Sequence, residues 1–212
     1  MKTGDLIDLL AQDASPAPPG FAWRRLGAAL AAGGAVTLLA VVLWLHCQPL
    51  LAVVSQPWFW MKAAYTALLA LAGALMVRRL ATPGAGLKAA PSIALAVIAI
   101  MLMLGAGQIV GAEPAQRFGL WLGRTWKVCS PLILLLSVPI YTALIVALRA
   151  LAPVNLARTG AAAGFTAGAL AATLYGLHCP EQGAAFVVTW YSAGIVAATA
   201  LGALAGRKLL RW

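Results

Sequence analysis

Both histidines of this 212-residue chain stand directly before a cysteine. His46 and Cys47 lie in WLHCQP, His178 and Cys179 lie in GLHCPE, and the third cysteine, Cys129, lies in KVCSP. Thiolates and imidazoles bind soft metals, and a thiolate also reacts with oxidants to give a sulfenic acid or a disulfide. These residues predict a site of thiol or metal chemistry, provided that the fold brings them together.

The sequence around Cys129 favours the reactive thiolate form. Ser130 followed by Pro131 is typical of a helix start, with the serine as N-cap and the proline at the first helical position. We therefore expect Cys129 just outside the positive end of a helix, close to Lys127. Both the helix dipole and the lysine stabilise a thiolate.

Cys179 is followed by Pro180, which cannot continue a helix, so we expect its thiol on an exposed corner. His178 and Glu181 are its accessory neighbours in sequence. In an oxidising compartment any two of the three cysteines can form a disulfide, and each pairing leaves one thiol over. A soft-metal site is an alternative, although the spacing is not that of a zinc finger. Its candidate ligands are Cys47, Cys129 and Cys179, with His46 or His178.

The composition places these residues in a membrane protein. The chain is 63% hydrophobic and 9% charged, with a mean hydropathy of +0.92, whereas soluble domains carry about 25% charged residues. A helix needs about 20 apolar residues to cross the hydrocarbon core and satisfies its own backbone there. We predict an all-α bundle of six transmembrane helices, which forms residues 26–212. The spans are approximately 26–46, 59–77, 91–111, 130–149, 159–178 and 185–205.

The basic residues predict how the spans are oriented. Lysine and arginine are enriched in cytoplasmic segments, so the side with more of them is the inner one. This rule places both termini in the cytoplasm and all three cysteines at the outer face. The short inner connection between the fourth and fifth spans predicts that these two are antiparallel neighbours, an arrangement in which Cys129 and Cys179 can come together. The inner residues are Lys2, Arg24, Arg25, Arg78, Arg79, Lys88, Arg149, Arg158, Arg207, Lys208 and Arg211. The outer residues are Lys62, Arg117, Arg124 and Lys127.

Residues 1–25 form a polar tail that predicts a short helix from Thr3 to Asp13 and then a Pro-rich linker. A helix this short needs a cover for its apolar face. The alternatives are a surface anchor and a frayed end, but anionic lipid would repel its acidic residues. A protein partner fits better. The apolar residues of the face are Leu6, Ile7, Leu9 and Leu10, and the acidic ones are Asp5, Asp8 and Asp13.

Several other functions are disfavoured. The basic residues are scattered and flank apolar runs, so no direct nucleic-acid partner is expected. No span carries an acidic residue at mid-depth, which argues against a transporter. Small residues recur every fourth position in the last two spans, from Gly160 to Gly176 and from Gly194 to Gly206. Such stripes indicate close helix packing within the chain or a homodimer.

The tail KTGDLIDLLAQD and the motifs KVCSP and LHCPE, within a six-span pattern, make the chain similar to the negative regulator of sigma F family. The resemblance implies a membrane anti-sigma factor of the bacterial inner membrane. Its partner would be an extracytoplasmic-function sigma factor, bound through Thr3 to Asp13. Cys129 and Cys179 would carry the signal, with no enzymatic activity and no cofactor.

The residues and the resemblance together predict a stress-response regulator. We expect the tail to hold the sigma factor until an oxidant or a soft metal reacts with the outer thiols. The alternative functions are a membrane thiol–disulfide oxidoreductase and a small-solute or metal transporter. The first typically uses a Cys-x-x-Cys pair and the second polar groups at mid-membrane, and the sequence has neither.

Overall fold

The computed structural model describes residues 3–4, 20–49, 53–82, 87, 89–151 and 153–211. Thr3 and Gly4 are helical, but Asp5 to Asp13, which we predict to bind a sigma factor, lie outside the described residues. The rest of the described chain forms seven helices and a short helical stretch at 53–54, and it contains no strand. The all-α prediction is confirmed for these residues.

The helices agree closely with the predicted spans. They are α1 (Phe21–Leu45, whose last turn from Val41 is a π-helix), α2 (Pro57–Leu80), α3 (Ala90–Gly111), α4 (Pro114–Leu122), α5 (Trp126–Arg149), α6 (Leu156–Tyr175) and α7 (Ala184–Leu209, with a π-helical turn at Val187–Tyr191). The short α4 lies before α5, in the predicted outer loop.

Five segments of the described chain are long and apolar enough to cross a membrane. They are α1, α2, α3, α7 and the stretch Pro114–Arg149 that joins α4 to α5. Leu43, Leu95 and Val110 turn outward on these helices and are 71%, 67% and 74% exposed. Large apolar surfaces of this kind are typical of contact with lipid.

The fifth predicted span forms α6, but it is not among the segments that are apolar enough to span by composition. Its position in the bundle explains why. Helix α6 packs against α7, α2 and α5, so most of its surface meets protein rather than lipid. Two of its threonines, Thr159 and Thr166, are buried. A helix enclosed in this way requires small side chains more than apolar ones.

The small-residue stripes of α6 and α7 face each other. A Cβ atom built on Gly202 would lie 2.6 Å from the Gly160 carbonyl oxygen, and one on Gly206 would lie 2.7 Å from the Gly160 Cα. The predicted packing within the chain is therefore confirmed. These surfaces are occupied, so they are not free for the homodimer that the sequence also suggested.

Helix α5 begins at Trp126, so the prediction that Ser130 is its N-cap was wrong. The preceding turn is helical because the Cys129 N–H donates to the Thr125 carbonyl at 3.0 Å. Ser130 instead donates its hydroxyl to the Trp190 carbonyl of α7 at 2.7 Å. Pro131 lies inside the helix, and Cys129 belongs to the first turn rather than to the residue before the cap.

We expect Gly202→Ala to destabilise the bundle, because its methyl group would press against the α6 backbone. Overpacking of this kind costs about 1–3 kcal/mol. Gly107→Ala is the matched control, since nothing lies within 4 Å of a Cβ atom at that position of α3. Thermal unfolding in detergent measures both. Equal midpoints for the two variants would contradict the α6–α7 contact.

Candidate thiol site

Cys129 and Cys179 meet at one end of the bundle, with their Sγ atoms 3.6 Å apart. Both are free cysteines. The prediction that neighbouring helices bring them together is confirmed. However, Cys129 is 0% and Cys179 1% exposed, so the expectation of an exposed corner at Cys179 was wrong.

The burial of Cys179 follows from the way that α6 ends. Beyond Tyr175 the chain continues for one more turn, in which the Cys179 N–H donates to the Tyr175 carbonyl at 3.1 Å. This turn directs the thiol back into the bundle rather than outward. Pro180, the next residue, is the one that is exposed.

Hydroxyl groups surround the two sulfur atoms. The Tyr175 hydroxyl lies 3.4 Å from the Cys129 sulfur, and the Thr125 hydroxyl lies 3.9 Å from each sulfur. The buried Tyr191 hydroxyl has no hydrogen-bond partner in the described residues.

Lys62, which was predicted only as a basic residue of the outer face, also belongs to this site. Lys62 lies in the second turn of α2, is 4% exposed, and donates to the Cys179 carbonyl at 2.8 Å and the Glu181 carbonyl at 3.3 Å. It therefore holds the segment after α6 against α2. A signal was present, because Lys62 is the only lysine or arginine between Pro57 and Val77.

Glu181 fastens the same segment to the start of α5. Its carboxylate accepts hydrogen bonds from the backbone N–H groups of Arg124 at 2.7 Å and Thr125 at 3.1 Å. The Thr125 hydroxyl donates to the same oxygen at 3.2 Å. The predicted accessory role of Glu181 is thus one of positioning, since these bonds place Thr125 beside both thiols.

The two Leu-His-Cys segments are joined by hydrogen bonds. The His178 Nδ1 atom lies 2.9 Å from the His46 carbonyl oxygen, and the Gln48 side chain donates to the His178 carbonyl at 2.8 Å. Cys47 is half-buried and packs against the same core, but in the described residues no hydrogen bond joins it to the other two thiols. No cluster of three or more His, Cys, Asp or Glu side chains that could hold a metal occurs in the described parts of the chain.

The surroundings lower the pKa of Cys179 to about 6. The largest cause is the hydrogen bond from the Cys129 thiol, which stabilises the Cys179 thiolate. The Tyr191 hydroxyl, the Glu181 backbone and the Lys62 charge act in the same direction, whereas burial opposes them. The surroundings thus favour the thiolate at Cys179, rather than at Cys129 as the sequence predicted.

Comparison with known proteins places this geometry in a family. The family model described as negative regulator of sigma F matches residues 10–212, which include both thiols and every helix from α1 to α7. The chain belongs to the negative regulator of sigma F family. The tail from Thr3 to Leu9 precedes the matched region.

Two curated relatives of this family match over their whole length and that of the chain. One is the anti-sigma-F factor NrsF of Caulobacter vibrioides (strain NA1000 / CB15N), which is 42% identical over 218 residues. The other is the probable anti-sigma-F factor NrsF of Azospira oryzae (strain ATCC BAA-33 / DSM 13638 / PS), at 38% over 213 residues. No solved structure matches the chain.

The lowered pKa of Cys179 predicts how its alkylation depends on pH. In a Cys47→Ser background, the rate of reaction with iodoacetamide should rise with pH through a midpoint near 6, because the thiolate is the nucleophile. Cys129→Ala removes the main hydrogen-bond donor, so the midpoint should move up, toward about 8.5. The rates are measured by mass spectrometry of the Cys179 peptide. A midpoint near 8.5 in both proteins would contradict the assignment.

Proposed function

We propose that this chain is an inner-membrane anti-sigma factor whose thiol pair controls release of an extracytoplasmic-function sigma factor. Family membership and the two curated relatives support the regulatory role. The observation that carries the sensing role is the buried Cys129–Cys179 pair, with sulfur atoms 3.6 Å apart. Two thiols so close form a disulfide when an oxidant removes two electrons, and they also offer two soft-metal ligands.

Disulfide formation would move the segments that carry the two cysteines. The bond length is about 2.05 Å, so the sulfur atoms would have to approach by about 1.5 Å. Cys129 lies in the first turn of α5, and Cys179 lies in the segment held by Lys62 and Glu181. A reaction at the pair therefore pulls on α5, a helix that extends the whole length of the bundle.

Helix α5 is in direct contact with α1, which follows the tail and its linker. The Thr37 hydroxyl donates to the Leu136 carbonyl at 3.0 Å, and Gly33 of α1 lies against the backbone of Ile140. Pro139 lacks the N–H group of a regular helical turn, which makes α5 easier to bend at this level. We propose that this contact transmits a shift of α5 to α1 and so to the tail.

The distribution of charge supports the proposed topology. The Arg149 side chain at the end of α5 donates to the Leu209 carbonyl at the end of α7, at 2.7 Å. The Arg78 guanidinium at the end of α2 lies 5.4 Å from the centre of the Trp23 ring at the start of α1. These basic helix ends are opposite to the ends that carry the thiols, as expected for a cytoplasmic face and an outer face.

The tail is proposed to hold the sigma factor. Its leucines would cover an apolar groove, and its aspartates would meet basic sigma-factor surface. Binding at the membrane keeps the sigma factor from core RNA polymerase. A coupling free energy of about 1–3 kcal/mol between the thiols and the tail would change the bound fraction about 5- to 150-fold.

The double variant Cys129→Ser/Cys179→Ser tests this function. The full-length protein in membranes is co-purified with a co-expressed sigma factor, before and after addition of diamide, a thiol oxidant. We expect wild type to release most of the sigma factor on oxidation, since the disulfide shifts α5. The double variant should retain it, because serine cannot form the bond.

Two further variants serve as controls in the same experiment. Cys47→Ser should behave as wild type, since in the described residues no hydrogen bond joins Cys47 to either thiol of the pair. Leu9→Asp should lose the sigma factor even when reduced, because it places a charge on the apolar face of the tail. Diamide-induced release from the double variant would remove the sensing role, and full binding by Leu9→Asp would remove the proposed role of the tail.

A further inference from the structure

A small cavity lies beside only one of the two cysteines. Its volume is about 120 Å³, and its lining combines polar side chains with two prolines and two apolar residues. Cys179 forms part of its wall, whereas Cys129 does not. The other polar residues of the wall are Gln48, Gln56, Lys62 and Gln182. A reagent that enters this cavity therefore reaches Cys179 first.

Lys62 lies in the wall of this cavity, and its positive charge activates Cys179 by stabilising the thiolate. It is 4% exposed, and in the described chain it forms no ion pair with a carboxylate. The Glu181 carboxylate is directed instead to the backbone of Arg124 and Thr125. A buried ammonium group is costly without a compensating negative charge. The thiolate of Cys179, whose carbonyl oxygen already accepts a hydrogen bond from Lys62, supplies that charge.

We propose that Cys179 is the attacking thiol, Cys129 the resolving thiol and Lys62 the positioning residue of this pair. The oxidant is a small hydroperoxide, which enters by the cavity lined by Gln48, Gln56 and Gln182. This assignment rests on the proposed function only in taking the pair to be the reactive site. It does not depend on the sigma factor.

The reaction has two steps. The Cys179 thiolate attacks one oxygen of the hydroperoxide, so that an S–O bond forms, the O–O bond breaks, and the leaving hydroxide or alkoxide takes a proton from water. The Cys129 sulfur then attacks the Cys179 sulfenic acid. The S–S bond forms, the S–O bond breaks, and the departing oxygen takes the Cys129 thiol proton and leaves as water. Two thiols are oxidised to one disulfide, and one hydroperoxide is reduced.

The structure also explains why Cys129 suits the second step. It does not line the cavity, and the Tyr175 hydroxyl lies 3.4 Å from its sulfur, so an oxidant in the cavity does not reach it before Cys179. Its sulfur lies 3.6 Å from the sulfur that it must attack. At this distance the Cys129 sulfur can attack a sulfenic acid on Cys179 after an approach of about 1.5 Å.

Hydrogen peroxide with dimedone, which traps sulfenic acids, tests the assignment on the full-length protein in detergent. In a Cys47→Ser background, Cys129→Ser should give the adduct on Cys179. Cys179→Ser should give an adduct on Cys129 at least about tenfold more slowly, because that sulfur is shielded and lacks the positioned lysine. An adduct that forms on Cys129 equally fast or faster would overturn the roles.

Substitutions of Lys62 test its role as the positioning residue of the pair. Lys62→Met in the Cys129→Ser background should slow formation of the Cys179 adduct about tenfold or more, and Lys62→Arg should restore most of the rate, since it keeps the charge. Lys127→Met is the matched control, because Lys127 is exposed and its ammonium group lies over the Trp126 ring. An unchanged rate in Lys62→Met would overturn the proposed role of the lysine.

Two measurements distinguish a failure of the proposed thiol roles from a failure to fold and from a failure of the proposed function. Thermal unfolding shows whether Lys62→Met folds. If it does not, the comparison of Lys62→Arg with Lys127→Met and the site of the first adduct in the two cysteine variants still decide the assignment. The rates are measured without a sigma factor, so a failure of sigma-factor release leaves them unaffected. Conversely, an adduct on the wrong cysteine leaves the anti-sigma role intact.

Discussion

The close packing of α6 is the constraint on which the rest of the structure depends. This helix is enclosed by α2, α5 and α7, and its backbone approaches α7 at Gly160 and Gly164 so closely that no side chain fits between them. Because α6 is enclosed, the position along the bundle at which this helix ends is fixed. The enclosure thereby fixes Tyr175 and the turn that places Cys179 beside Cys129.

A set of polar contacts turns that proximity into a chemically distinct site. Lys62 from α2 and Glu181 from the segment after α6 hold three parts of the chain together through backbone groups. The pair is buried, and one of its members is stabilised as a thiolate. Such a site favours reaction with a small reagent over exchange with another protein, whose thiol could not reach a sulfur that is 1% exposed. This distinction favours a sensor over the oxidoreductase considered from the sequence.

Much of this arrangement could be predicted from the sequence. Apolar lengths located most of the helices, and the short connection between α5 and α6 predicted that Cys129 and Cys179 are neighbours. The errors have local causes. The pair Ser130-Pro131 resembles a cap, but a tertiary contact to Trp190 allows the helix to start earlier. Pro180 was expected to expose Cys179, whereas one additional turn buries it. The partners of Lys62 are more than a hundred residues distant in sequence, so no local pattern identifies them.

The central claim is that a disulfide between Cys129 and Cys179 weakens the hold of the tail on a sigma factor. A redox titration of the purified complex in lipid nanodiscs, with mixtures of oxidised and reduced dithiothreitol, tests it most directly. The disulfide fraction is measured by mass spectrometry and the bound sigma factor by co-purification at each potential. We predict that the two curves superimpose. A sigma factor that stays bound when the disulfide is complete would contradict the account.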